Sequence, residues 1–324
     1  MDVVTLLYLM SALLVQGKSV PLVRPNSLQF LVLADWGGQS HAPYTSRVQM
    51  YVAEQMAATA DKRNISFVIS LGDNIYREGV HGWLSDRFET TFEQVYYQES
   101  LQVPWYIIAG NHDHWGSIRA QINRSKLSFK WTFPHVYYKK SWMLPGGKVL
   151  DLLLLDTTIL CGNTIETPYG NRVLGPDNVN AANLQWSWIK HSLKKSTADF
   201  LLVGGHYPVY SVGDNGPTKC LYSRLEHLLY KYHVTAYLSG HDHNLQHIQT
   251  KKGDRKMDYF VIGGGAWPDD LQTNLQTVPE ESLKFFLGKD GGFALIDVTA
   301  ERMELSFIDS NGNIRYNYNL YPRK

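Results

Sequence analysis

Five short segments place oxygen or imidazole donors directly behind an apolar run. They are Asp35-Trp36-Gly37, Gly72-Asp73-Asn74-Ile75-Tyr76, Gly110-Asn111-His112-Asp113-His114, Gly204-Gly205-His206 and Gly240-His241-Asp242-His243. The runs before them, Leu28 to Ala34, Phe67 to Leu71, Trp105 to Ala109, Phe200 to Val203 and Thr235 to Leu238, read as β-strands. Donors on strand-end loops are what an open α/β sheet presents at its active edge. Asp35 or Asp73 alone would read as a helix cap or turn former. Five such loops together read as a two-metal site. Because the donors run from position 35 to position 243, one fold must bring them together despite a length that allows two domains.

The rest of the chain fits that constraint. Thr45 to Thr59 sets Val48, Val52 and Met56 on one helical face. Asn180 to Ser196 aligns Leu184, Trp188 and Ser192, with Ile189 and Leu193 alongside. After Leu245 the pattern turns to strands: Leu245 to Thr250, Met257 to Ile262, Phe293 to Val298, Met303 to Ile308 and Ile314 to Leu320. An α/β half followed by antiparallel strands predicts an α/β fold with a two-sheet β-sandwich flanked by helices and the active site on strand-end loops.

The order D-x-G, G-D-x-x-Y, G-N-H-D, H and G-H-x-H resembles the metallophosphoesterase superfamily, and within it the purple acid phosphatases of the small tartrate-resistant type. The likeness runs from about Leu28 to the C-terminus and includes Gly205 to Val209 and Gly240 to Gln246. It implies the calcineurin-like fold. Most of the superfamily reads D-x-H in the first motif; here position 37 is Gly, which cannot bind a metal, and Tyr76 follows the second Asp by three residues. A phenolate favours a trivalent ion. The resemblance implies Asp35, Tyr76 and His243 on Fe(III), Asn111, His206 and His241 on a divalent ion (Fe(II), Zn or Mn), and Asp73 as a bridge between the two metal ions. It further implies a catalytic group of His112, Asp113 and His114: His112 as phosphate contact or general acid, Asp113 as an orienting carboxylate.

Export is the expected route. Val3 to Val15 is apolar except at Thr5, Tyr8 and Ser11, too short to span a bilayer and suited to a signal peptide of residues 1–17 with the mature domain at 18–324. Its flank, Met1-Asp2, lacks the usual Lys or Arg. Cys161 and Cys220 are either two buried thiols or a disulfide, and the resemblance implies the pairing; closing a loop of about sixty residues contributes roughly 4 kcal/mol in the chain-entropy account. Sequons at Asn64 and Asn123 are glycosylation candidates, with Asn123, in its polar stretch, preferred. Secretion or lysosomal residence follows.

Basic and acidic residues number 31 and 30, a formal net charge of +1, so no global field invites nucleic acid or an anionic membrane. A monomer without stable membrane insertion is expected. His41, His81, His135, His191, His227, His233 and His247 read as solvated or locally bonded. Gly263 to Gly265 reads as a tight turn near the site, since no P-loop Lys follows. Trp36, Trp105 and Trp115 read as packing, and Trp267 as a candidate for the substrate mouth. Thr157 to Val179 reads as an exposed loop which, by resemblance, covers the site and restrains it until cut.

The function implied is an acid phosphatase hydrolysing phosphate monoesters, small-molecule or phosphoprotein, with a metal-held hydroxide as nucleophile. Two ions against Asp35, Asp73 and a phenolate leave a net charge of roughly +2, which attracts phosphate. A phosphodiesterase or nuclease on the same metals is the rival reading; a non-catalytic secreted binding protein is the other.

Overall fold

The computed structural model describes residues 27–163 and 175–323. The expected signal peptide lies outside the described residues, as does the centre of the expected covering loop.

Fourteen strands form two seven-stranded sheets among the described residues. In the first, β1 (Leu28–Leu33), β2 (Ile65–Ser70), β3 (Trp105–Ile107) and β4 (Trp131–Thr132) run parallel. Beyond β1 the sheet continues antiparallel through β12 (Gly292–Val298), β13 (Met303–Asp309) and β14 (Ile314–Leu320). In the second, β6 (Val149–Leu155), β7 (Phe200–Gly205), β8 (Ala236–Ser239) and β10 (Arg255–Ile262) are parallel. Antiparallel β5 (Tyr138–Met143) closes one edge, and β9 (Leu245–Lys252) and β11 (Leu283–Leu287) the other. The expected two-sheet sandwich is what the chain adopts.

Period-two alternation divides the core. Leu152, Leu154, Phe200 and Leu202 face the first sheet, within a cluster holding Phe30, Val32, Phe67 and Ile296. Their neighbours Leu153, Leu155, Leu201 and Val203 face outward into a second cluster with the helices α4 (Val179–Lys195), α5 (Lys219–Arg224) and α6 (Glu226–Lys231). Both faces of the second sheet's centre are therefore dry, which explains why its strands read as unbroken apolar runs. On the first sheet's side, α1 (Arg47–Lys62) buries Val52 and Met56 as expected and is capped by Ser46, whose side chain accepts from Gln49 N. A short helix, α2 (Ile118–Arg124), follows the third ligand loop.

Two expectations need correction. The buried face of α4 is Ala182, Gln185, Trp186, Ile189 and Leu193, while Leu184 is 67% exposed. Its N-cap is Asn178, two residues before the expected start. The supposed loop from Thr157 opens instead as a helix, α3 (Thr157–Cys161), capped by Asp156 Oδ1 on Ile159 N at 2.9 Å. Cys161 at its end is bonded to Cys220 on α5, so the implied disulfide is present.

Candidate metal centre

The seven expected ligands meet where the two sheets' strand ends face each other. Asp35 follows β1, Asp73 and Tyr76 follow β2, and Asn111 follows β3; from the other sheet, His206 follows β7 and His241 and His243 follow β8. Asp35 (φ 58°), Asp73 (φ 51°) and His241 (φ 72°) sit in the left-handed region. Non-glycine residues occupy it rarely, and such strain gathers at functional sites.

The donors form two touching groups. Tyr76 Oη lies 3.2 Å from Asp35 Oδ1 and 3.1 Å from His243 Nε2, and His243 Nε2 is 3.6 Å from the same Asp35 oxygen. His206 Nε2 lies 3.0 Å from Asn111 Oδ1, and the His206 ring is 5.1 Å from that of His241. Asp73 Oδ2 is 3.4 Å from His206 Nε2, and single ligand atoms of Asp35, Asp73 and His206 all fall within 4.8 Å of one another. His206 Nδ1 donates to the Leu71 carbonyl at 2.9 Å, which fixes the ring with Nε2 directed at the cluster.

Burial sets the electrostatics. It pushes the Asp35 carboxyl well above 3.8, with Asp73 adding to it against the pull of His206. Burial, then Asp35 and Asp73, push the Tyr76 phenol well above 10.0. Burial would lower His206, but Asp73 and Asp35 outweigh it and hold the imidazole up to about 9. Burial lowers His241 well below 6.5 and His243 to about 4, so both imidazoles favour the neutral form. The Asp35 and Asp73 oxygens that together hold His206 up, the imidazoles of His241 and His243, and the Asn111 Oδ1 beside His206 Nε2 are a largely buried oxygen and nitrogen donor set that fits metal ions.

Close packing explains several glycines. A Cβ on Gly37 would come 2.6 Å from Tyr76 N, so the loop carrying the phenol occupies the space a side chain at 37 would need. Gly263 to Gly265 form the expected turn, running against the backbone of Asp242 and Ala34.

The surrounding side chains hold the ligand loops. Asp113 is fully buried; its Oδ2 accepts from Gly110 N at 2.9 Å and from both nitrogens of Asn74 at 3.1 Å, and its Oδ1 from Gln121 at 2.7 Å. Burial, then Asp73, raise its carboxyl to about 6. His112 N donates to Asp73 Oδ1 at 3.0 Å, its Nδ1 meets the Arg77 carbonyl at 2.8 Å, and its Nε2 lies 3.9 Å from Asp73 Oδ2. His114 Nε2 is turned away to Asp156 Oδ2, 2.8 Å off. Trp267 is 44% exposed and donates to the Gly38 carbonyl. Asn64 is exposed, and Asn123 is half-buried in the last turn of α2.

Sequence reading missed Arg87, whose guanidinium donates to the carbonyls of Tyr76 at 2.7 Å and Gly37 at 3.2 Å. Nothing local announces it. Asn74 was missed despite lying inside a ligand motif, where an unassigned buried amide is itself a signal. Of the other histidines, His247 is buried and bonded to Asp258 and Tyr316 at 2.9 and 2.8 Å, one of the local pairings expected.

Residues 28–245 match the calcineurin-like phosphoesterase family. The chain is 38% identical to tartrate-resistant acid phosphatase type 5 of Sus scrofa over 336 residues, spanning 100% of this chain and 97% of that protein. The same enzyme of Homo sapiens is 38% identical over 100% of this chain and 99% of its own. Purple acid phosphatase 7 of Arabidopsis thaliana is 32% identical over 92% and 87%. Among solved structures, GAP50, the anchor in the inner membrane complex of Plasmodium, superposes with a TM-score of 0.78 at 24% identity over 92% of this chain and 90% of that one. The purple acid phosphatase PPD1 from yellow lupin gives 0.63 at 16% identity over 91% and 54%. The two structures show the shared fold.

Proposed function

The chain belongs to the calcineurin-like phosphoesterases and, within them, to the purple and tartrate-resistant acid phosphatases, and on that premise we propose that it hydrolyses phosphate monoesters with a mixed Fe(III) and divalent metal pair. The observation that carries the reading is the convergence of Asp35, Asp73 and His206 within 4.8 Å, with Tyr76 and His243 against Asp35. Asp35, Tyr76 and His243 would hold the ferric ion, Asn111, His206 and His241 the divalent one, and Asp73 would be shared between them. A buried phenol resists ionisation, so a phenolate ligand at Tyr76 would call for a strongly charged cation, which favours Fe(III) beside it. When bound, the two ions neutralise phosphate charge and activate water.

The chain's own residues do the rest. His112 is fixed through Nδ1 to the Arg77 carbonyl, which leaves Nε2 free to protonate a leaving alkoxide on the ligand side of the loop. Asp113 fastens the backbone of Gly110 and Asn74 and so sets the positions of Asn111 and Asp73. His114 acts through Asp156, joining the third ligand loop to the cap of α3. Small phosphate esters and phosphoproteins are the substrate class; the balanced charge supports neither nucleic acid nor a stable membrane partner. No helix among the described residues is long and apolar enough to cross a membrane. With the apolar leader, the disulfide and the sequons, the chain is proposed to be exported, glycosylated and monomeric, and lysosomal or secreted.

Metal analysis, a visible spectrum and a nitrophenyl phosphate assay test the reading together. A phenolate on ferric iron absorbs visible light, so the native enzyme is expected to be violet and Tyr76→Phe to lose the band while staying folded. Full colour in the variant would remove Tyr76 from the ligands. Faster release from bis-substituted than from mono-substituted esters would favour the phosphodiesterase, and a metal-free inactive protein the binding module.

A further inference from the structure

An edge-stacked column rises from the metal centre to the surface. The Tyr76 ring meets the His112 ring at 4.9 Å and 81°, and His112 meets Trp115 at 4.5 Å and 69°. Over the outer ring lies the guanidinium of Arg77, 5.7 Å from its centroid. The same residue's carbonyl receives His112 Nδ1 at 2.8 Å, so the backbone that fixes the proposed acid also carries the cation at the rim. Among the described residues the guanidinium has neither a carboxylate partner nor a hydrogen bond, and it lies over the ring of Trp115. Its planar fork of N–H donors is thus oriented by stacking and left open to solvent, a form suited to bidentate capture of phosphate.

We propose that Arg77 is a specificity-determining residue that binds a second phosphate carried on the leaving group, selecting small bisphosphorylated substrates; this rests on the reading of the site as a phosphomonoesterase. Spacing decides the substrate class. The guanidinium stands two ring-to-ring contacts and one cation-to-ring contact out from Tyr76, with the ring of His112, which serves the leaving oxygen, and that of Trp115 between them. A second phosphate therefore reaches it only across several bonds, as in a sugar bisphosphate. In a phosphoanhydride the two phosphates are adjacent, too close together to span from the ligand loops to the rim.

The test compares fructose 1,6-bisphosphate with fructose 6-phosphate, alkyl phosphates on one carbon skeleton that make the same demand on His112. In the metal-loaded native enzyme kcat/KM is expected to favour the bisphosphate. Arg77→Ala is expected to cut that preference about fivefold to tenfold through KM, the range for a charged hydrogen bond near solvent, with Arg77→Lys between the two. Calorimetric binding of the bisphosphate is expected to weaken by the same factor. An unchanged preference, an equal loss on both sugars, or a selective loss on adenosine diphosphate or on an acidic phosphopeptide would overturn the proposal. Release of phosphate from neither sugar nor nitrophenyl phosphate by the native enzyme would instead overturn the phosphatase reading, and the subsite with it.

Discussion

His112 shows what one position can and cannot reveal about itself. Its place after Asn111 marks it as functional, but only the structure shows the Nδ1 contact with the Arg77 carbonyl that fixes which nitrogen is free. The bland alternative is a stiffening role, since His112 N also holds Asp73. The two part company on the leaving group, because an alkoxide needs a proton in the transition state and a nitrophenolate hardly does. His112→Ala is expected to keep its metals, lose roughly 10²-fold in turnover on alkyl phosphates and distinctly less on nitrophenyl phosphate. Equal losses with full metal content would make it a phosphate-positioning residue, and lost metal a structural one. The proposed ligands were legible because each is a donor at a strand end, where the structure brings them together. Arg87 and Asn74 were not, because they act through backbone carbonyls and buried amides that any loop might use.

Strands feeding the site were legible for a related reason: they are buried on both faces, so their apolar runs are unbroken and end abruptly at the ligands. The sheet edges were harder. β5 carries Lys139 and Lys140, and β11 carries Lys284; polar residues protect an edge from pairing with other chains and also erase its periodic signal. The face of α4 was mis-phased because Trp186 and Trp188 lie two apart, and only the contact with the second sheet decides which of them turns inward. The β13–β14 hairpin was read correctly, and its turn explains why. Asp309 Oδ1 accepts from Asn311 N and Asn313 N at 2.9 Å each, and Gly312 supplies φ 83°. Burial opposes ionisation of Asp309, but Arg315 and these N–H groups outweigh it and hold the carboxyl below 3.8. A lowered carboxyl contributes stability that is full above the unfolded value and lost only as pH falls through the folded one. Asp309→Ala is therefore expected to cost about 1–3 kcal/mol in urea unfolding at pH 5 as well as at pH 7, with the difference from native shrinking only once pH falls below the ordinary carboxylate value. A gap that closes already at pH 5 would show that the carboxylate is not what holds the turn.

The ligand set also bears on how the two sheets are held together. Of the proposed ligands, Asp35, Asp73, Tyr76 and Asn111 come from the first sheet and His206, His241 and His243 from the second, so bound metal would tie the sheets at their strand ends. Elsewhere they are joined by the shared apolar core and by bonds such as His247 Nδ1 to the Tyr316 hydroxyl at 2.8 Å. Removal of metal is therefore expected to loosen the strand-end side without unfolding the sandwich. Ions that bind only the native state stabilise it by mass action, about 4 kcal/mol at a thousandfold excess over Kd. For a chain of this size that corresponds to a fall in Tm on the order of 10 °C on chelation, restored by adding metal back. Far-ultraviolet dichroism is expected to stay unchanged below the lower transition, because the apolar core needs no metal. The control is Asp73→Ala, which removes the proposed bridge: its Tm is expected to lie near that of the chelated native protein and to respond little to chelator. A native Tm indifferent to chelation, with metal shown to have left, would mean that the core alone holds the sheets and that the metals serve chemistry only.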